Sequence, residues 1–218
     1  MKATVADAAR FAALWQRQVS SPPAPDGGAV YTDLSGLYAA PYRKFHNLGH
    51  IEDCLRRFDE IAPLLVDRDA VEFALWFHDV VYQTGATTNE WRSAEMFLAR
   101  STGASFVFRH RVCGLILATR HTRNVRGNDK GFIVDIDLSG FGAPWDEFMR
   151  NGDLLRQESA DQSERQYHTG QVIFLSRLQQ RPYVFSTDYF RDRYELTARA
   201  NLRRVLAELA AKGYSAAA

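Results

Sequence analysis

Apolar residues in this chain recur at helical spacing from one end to the other, and the period-two alternation of a half-buried strand is nearly absent. Phe11, Leu14 and Trp15 stand at i, i+3 and i+4 after Asp7, a residue type suited to an N-cap. Ile51, Leu55, Phe58 and Ile61 or Ala62 form a second stripe, bordered by His50 and Cys54 and closed by Pro63. A third helix is expected over Asp67 to Tyr82, with Val71, Ala74, Leu75 and His78 in line. Thr87 and Glu90 have the Thr-x-x-Glu spacing of a capping box at the head of a fourth. Ser105 to Thr119 makes a fifth, and an apolar run holding Asp135 and Asp137 reads as buried helix. Further helical stretches span Trp145 to Ser159, Ser163 to Gln179 and Arg191 to Lys212. The fold class expected is therefore all-α, a bundle of about eight to ten helices.

Between these stripes, Ser20 to Gly28 concentrates Ser, Pro and Gly and reads as a loop, too short to join two domains. Tyr31 to Tyr42 ends around Pro41 and is expected to be an irregular aromatic approach to a site. At 218 residues the chain fits one domain, with a core over about 31–142 and a C-terminal helical extension over about 143–212. A net charge of +1 with 24% charged residues singles out neither duplex nucleic acid nor an anionic membrane as a partner. Cys54 and Cys113 lie far apart in apolar segments, without paired-cysteine spacing, and read as buried thiols. Charged residues interrupt the first apolar run, and no run approaches the roughly 18 residues of a spanning helix, so a cytoplasmic protein is expected.

The chemistry gathers between Arg43 and Tyr82. His46 and His50 are four residues apart, expected one helical turn from each other, and His78 stands beside Asp79. A lone histidine on an apolar face is usually a hydrogen-bonded core residue. Three imidazoles and a carboxylate on neighbouring segments are a more specific pattern, because a buried carboxylate without a counter-charge costs several kcal/mol that a divalent cation would offset. Imidazole and carboxylate donors suit Fe, Mn, Zn, Ni or Co and leave coordination positions for water.

The ordered motifs resemble those of the HD superfamily of metal-dependent phosphohydrolases. Within it they are similar to a bacterial subgroup marked by RxYHNxxH, FHDxVY, NExxSA and ARxNL. Here these read Arg43-Lys-Phe-His46-Asn-Leu-Gly-His50, Phe77-His78-Asp79-Val-Val-Tyr82, Asn89-Glu90-Trp-Arg-Ser93-Ala94 and Ala198-Arg-Ala-Asn201-Leu202, with Phe45 where the subgroup has Tyr. The likeness extends from about Tyr31 to Leu209. The His46 to His50 element also looks like its counterpart in the cyclic-nucleotide phosphodiesterases.

The resemblance implies an HD-type helical bundle and a phosphohydrolase that attacks a small phosphoester or nucleotide with water activated on a metal. It further implies His50, His78 and Asp79 as ligands, His46 as the acid serving the leaving oxygen, and a later aspartate as fourth ligand. Asp135 and Asp137 point about 200° apart on a helix, so only one can face the ion. The family's closing Asp precedes a Leu-rich turn ending in Gly, as Asp137 does, which leaves Asp135 a supporting role. The ion expected is Mn, Fe, Ni, Co, Zn or Mg, with one bound and room for a second.

Other groups are candidates for holding substrate. Arg43, before His46, is expected to meet an anion, its alternative being a surface ion pair. His121 ends a buried helix and is expected near substrate, although the helix dipole alone favours a histidine there. Glu90, Arg123 and Arg156 are weaker candidates; Arg120, Arg126 and Lys130 complete a basic loop that is equally a solvated surface. Tyr31, Tyr38, Tyr42, Tyr167 and Arg199 are candidates for selectivity. Two further readings stand beside hydrolysis: a nucleotide-sensing module that keeps the metal, and a di-iron oxygenase recruiting His110, His121 or His168.

Overall fold

A computed structural model describes residues 6–122, 125 and 127–215. Among the described residues ten α-helices follow one another, with short 3-10 turns after α3, α6 and α7: α1 Ala8–Gln18, α2 Gly27–Tyr38, α3 Leu48–Ile61, α4 Arg68–Phe77, α5 Asn89–Arg100, α6 Phe106–Ile116, α7 Asn128–Asp137, α8 Trp145–Glu158, α9 Glu164–Gln180 and α10 Asp188–Ala211. No strand occurs among the described residues, in line with the all-α expectation. None of their helices is long and apolar enough to cross a membrane. The residues group into two compact units, one ending at Ile136 and one beginning at Asp137. The division falls at the last residue of α7, so Asp137 is carried by the helix that Ile136 belongs to.

The first unit is arranged around α4. Every residue from Ala70 to Phe77 is buried, so this helix has no solvent face, as expected of a helix at the centre of a core. Its aromatic rings meet those of neighbouring helices: Trp76 lies 5.3 Å from Phe11 of α1, Phe77 5.2 Å from Phe97 of α5, and Phe73 5.5 Å from Phe108 of α6. Truncating one such ring to alanine typically costs about 3–5 kcal/mol. Asp7 caps α1 as its residue type suggests, accepting from the Arg10 amide at 2.8 Å. Arg10 then reaches across to the buried Glu72 of α4 at 2.6 Å and to Asp59 of α3. Asp129, in the first turn of α7, accepts from the Val66 and Asp67 amides and so fixes the turn that leads into α4.

Two segments depart from expectation here. Tyr31 to Tyr42 is irregular only beyond Tyr38: α2 runs to that residue, capped by Asp26 on the Ala29 amide, and buries Val30, Leu34 and Tyr38 at i, i+4 and i+8. Pro41 restrains only the residue before it, which lies beyond the helix end. α4 stops at Phe77 rather than continuing to Tyr82, placing His78 at its C-cap and Asp79 in the following turn.

The second unit is built on α10, whose surface is shaped by the 3-10 turn Leu138–Gly142. A Cβ on Gly142 would stand 2.5 Å from Tyr194 Cβ, so only glycine allows this approach. Asn201, about two helical turns after Tyr194 and on the same face, donates to the carbonyls of Phe141 and Ala143, both at 2.9 Å. Arg199 donates to the carbonyls of Gln179, Arg181 and Pro182 and caps the end of α9. At the other end of α9, Ser163 and Gln166 form a capping box.

Candidate metal centre

His78 is the C-cap residue of α4, and its amide still donates to Ala74 O at 2.8 Å. Its side chain is wholly buried, with Nδ1 2.9 Å from Leu75 O. A carbonyl only accepts, so Nδ1 carries the proton in this bond and Nε2 presents its lone pair in the neutral ring. That nitrogen faces His50 Nε2 at 3.4 Å and Asp79 Oδ2 at 3.0 Å, and His50 Nε2 stands 3.6 Å from the same oxygen. Lone pairs and a carboxylate this close repel one another unless a cation or a proton lies among them.

α3 supplies two of the groups. His50 is in its first turn, and Cys54 follows one turn later on the same face, with Sγ 3.7 Å from His50 Nε2 and 4.0 Å from Nδ1. α7 supplies Asp137 at its last residue. Among the described residues, His50, Cys54, His78 and Asp137 each offer one donor atom, and these atoms all lie within 4.8 Å of one another. This cluster can hold a metal ion. Of the two aspartates expected as alternatives, Asp137 joins the group, while Asp135, two residues earlier on the helix, is wholly buried. Cys54 is buried, as its apolar setting suggests, and its four-residue spacing from His50 is the sequence signal for its place in the cluster.

His46 does not share a helix with His50. Asn47 takes the N-cap of α3, its side chain accepting from the Gly49 amide at 2.7 Å, and His46 therefore lies in the turn before it. Asparagine is among the strongest N-cap residues, which is why the helix starts there. The His46 ring stacks on Tyr82 at 4.0 Å and 25° and stands 5.9 Å from the His50 ring.

Arg43 is used differently from the expectation. It is buried, and its guanidinium donates to His46 O at 2.9 Å, Asp79 O at 2.7 Å and Val80 O at 2.8 Å, instead of facing an anion. The last carbonyls of α4 are met by other groups, Leu75 O by His78 Nδ1 and Trp76 O by the Tyr38 hydroxyl, and Arg43 serves the carbonyls of the turn that follows. It also packs over the rings of Tyr38 and Tyr82. Arg43 is thus a positioning residue that ties the His46 turn to the His78–Val80 turn.

α5 secures the next few residues. Ser93 Oγ accepts from the Val81 amide at 3.1 Å, and Asn89 bonds both the amide and the carbonyl of Gln83. The expected capping box is absent: the N-cap is Thr88, with no side-chain cap bond, because Asn89 holds the preceding turn instead. Glu90 is half-buried and lies 4.0 Å from Arg120 Nε.

Several remaining candidates have structural work. His121 sits at φ 54°, ψ 15°, the left-handed region, directly after the 3-10 turn Leu117–Arg120. Arg156 is engaged by Glu164 at 2.9 Å and the carbonyls of Ser159 and Gln162, rather than poised for substrate. Burial pushes the Tyr167 phenol up to about 12, and that ring lies under the Arg156 guanidinium. Tyr38 is buried and donates to Trp76 O at 3.0 Å, and burial raises its phenol well above the usual range, so it is unavailable to a substrate. Tyr31 donates to Ala6 O, while Tyr42 is 58% exposed. His110 is exposed and stacks on Phe106, and His168 is bonded by Gln171 and Glu164. Arg123 and Arg126 lie outside the described residues. No family model, curated protein or solved structure matches the chain.

Proposed function

We propose that the chain is a metal-dependent phosphohydrolase of the HD type, acting on a small phosphoester or nucleotide. The observation that carries this reading is the enforced orientation of His78: Leu75 O claims Nδ1, and Nε2 is left facing His50 Nε2 and Asp79 Oδ2. The motif order quoted above supports the choice of reaction, and the donor chemistry supports a divalent ion. Three kinds of donor, imidazole, carboxylate and thiol, stand within 4.8 Å of one another, as they would around one centre.

A divalent ion held by His50, His78 and Asp137 would supply the positive charge that acidifies water and offsets charge on phosphoryl oxygens. The chain's own groups would do the rest. Asp79, implied by the resemblance as a ligand, has Oδ2 beside both imidazoles and in this reading would instead accept a proton from the attacking water and aim it at phosphorus. His46, held face to face with Tyr82 at 4.0 Å, would donate a proton to the leaving oxygen as the P–O bond breaks. Arg43 would keep these two groups in register through the carbonyls of His46 and Asp79.

The test is turnover of generic phosphomonoesters, phosphodiesters and a nucleotide panel by chelated protein reloaded with Mn, Co, Ni, Zn, Fe or Mg. Turnover that disappears in His78→Ala and in Asp79→Ala is the expected result. No hydrolysis with any metal, with a nucleotide bound yet recovered unchanged, would replace catalysis with sensing.

A further inference from the structure

Cys54 is the donor that the metal reading did not require. Its Sγ is nearer to His50 Nε2 (3.7 Å) than to Nδ1 (4.0 Å), and Nε2 is the atom that faces His78. The thiol is therefore on the converging side of the imidazole. The distances are also those of a particular coordination. Two nitrogens bound at about 2.05 Å with a tetrahedral angle stand about 3.3–3.4 Å apart, and a sulfur at about 2.3 Å stands about 3.6 Å from such a nitrogen. The nitrogen pair is 3.4 Å apart and the sulfur–nitrogen pair 3.7 Å. Asp79 Oδ2, at 3.0 Å from His78 Nε2, is closer than a tetrahedral edge of about 3.3 Å and falls outside these four donors.

We infer that Cys54 ligates the ion as a thiolate together with His50, His78 and Asp137, so that the site selects a thiophilic divalent ion such as Zn2+, Co2+ or Fe2+ over Mg2+. This rests on the metal centre under Proposed function and specifies its chemistry. Binding forms the S–metal bond and breaks the S–H bond, the proton passing to solvent, with no change of oxidation state. Thiolate sulfur is a soft donor that Mg2+ does not favour, whereas the borderline ions accept it with imidazole and carboxylate. The set includes a helical pair, His50 and Cys54 at i and i+4, the spacing that puts two side chains on one face. Four protein donors fill a tetrahedron, so water enters only as a fifth ligand or after the thiolate leaves.

The experiment uses the full chain, stripped of metal by chelation and titrated with Co2+ and with Zn2+. With Co2+ the expected spectrum shows a near-ultraviolet thiolate-to-metal charge-transfer band. The band should persist in Cys113→Ser and disappear in Cys54→Ser, which should still bind Co2+. X-ray absorption of the Zn2+ form of the unaltered protein should show one sulfur neighbour at about 2.3 Å, a measurement that needs no variant to fold. Cys54→Ser is expected to weaken Zn2+ binding by at least about tenfold and to leave Mg2+ binding unchanged. Stoichiometric Co2+ binding that His78→Ala abolishes, with no charge-transfer band and no sulfur neighbour, overturns the thiolate while leaving the metal centre intact. Failure of the unaltered protein to bind Co2+ or Zn2+ overturns both.

Discussion

Replacing Arg43 separates a positioning role from an anion-binding one. The guanidinium makes three bonds to main-chain carbonyls, at 2.7, 2.8 and 2.9 Å, and is only 6% exposed. Hydrogen bonds to a charged group contribute about 1.5–3 kcal/mol each, and a buried carbonyl left without its donor costs about 1–3 kcal/mol. Burying the guanidinium offsets part of this. In Arg43→Met all three oxygens lose their donor and some gain water, so a net loss of about 3–5 kcal/mol is expected. Arg43→Lys keeps the charge, but one nitrogen cannot stand where both Nη atoms stand, and about 1.5–3 kcal/mol should be lost. In urea, with a slope of about 2 kcal/mol per molar, Arg43→Met should lower the midpoint by roughly 1.5–2.5 M. Tryptophan fluorescence suits the measurement, since Trp15, Trp76 and Trp91 lie in the first unit. Both variants should also bind metal more weakly, because the carbonyl of Asp79 belongs to the turn that carries His78 and that of His46 to the turn before the helix that carries His50. Arg43→Lys within about 0.5 kcal/mol of the unaltered protein, the range of an ordinary surface change, would refute this reasoning.

Chelating any bound ion should lower the unfolding temperature, and re-adding Zn2+ at about one hundred times its Kd should return about 2.7 kcal/mol by linkage, read by calorimetry. An identical melting curve with and without chelator would contradict a site that binds only the folded chain. Asn201→Ala removes two bonds to the turn that follows Asp137 and should cost about 1–3 kcal/mol, seen as faster amide exchange over 138–143. Asp69 is opposed by burial, but Arg17 and Gln18 bond its carboxylate and hold it below the ordinary range. Its folded value being lower than its unfolded one, it stabilises the protein above about pH 4 and loses that contribution as pH falls. Asp69→Asn should therefore reduce stability at pH 7 by under about 1 kcal/mol and flatten the acid side of the stability curve.

Much of the helical layout is legible from stripes and caps. Asp7, Asp67 and Ser105 each accept a backbone amide at a helix start, and Pro63 lies just past the end of α3, all local preferences that need no distant partner. α2 was missed because one proline outweighed the Val30, Leu34 and Tyr38 stripe. The end of α4 and the start of α5 differ from expectation for another reason. Arg43 and Ser93, distant in sequence, supply partners to the turn after Phe77, and Asn89 holds the turn before α5 instead of capping it.

By itself, then, the sequence determined that the fold is all-α, that His50 borders one apolar stripe and that His78 continues another. Spacing along a helix sets which face a residue occupies, and facing follows from 3.6 residues per turn. Only the tertiary structure decided which lone pairs meet and which donors are already committed. Arg43, a cation expected to face an anion, is bonded to carbonyls up to 37 residues away, and Cys54, expected only to be a buried thiol, has its sulfur 3.7 Å from a histidine nitrogen. Those outcomes depend on the direction of an Nη–H bond and of a sulfur atom in space, which residue type and periodicity do not carry.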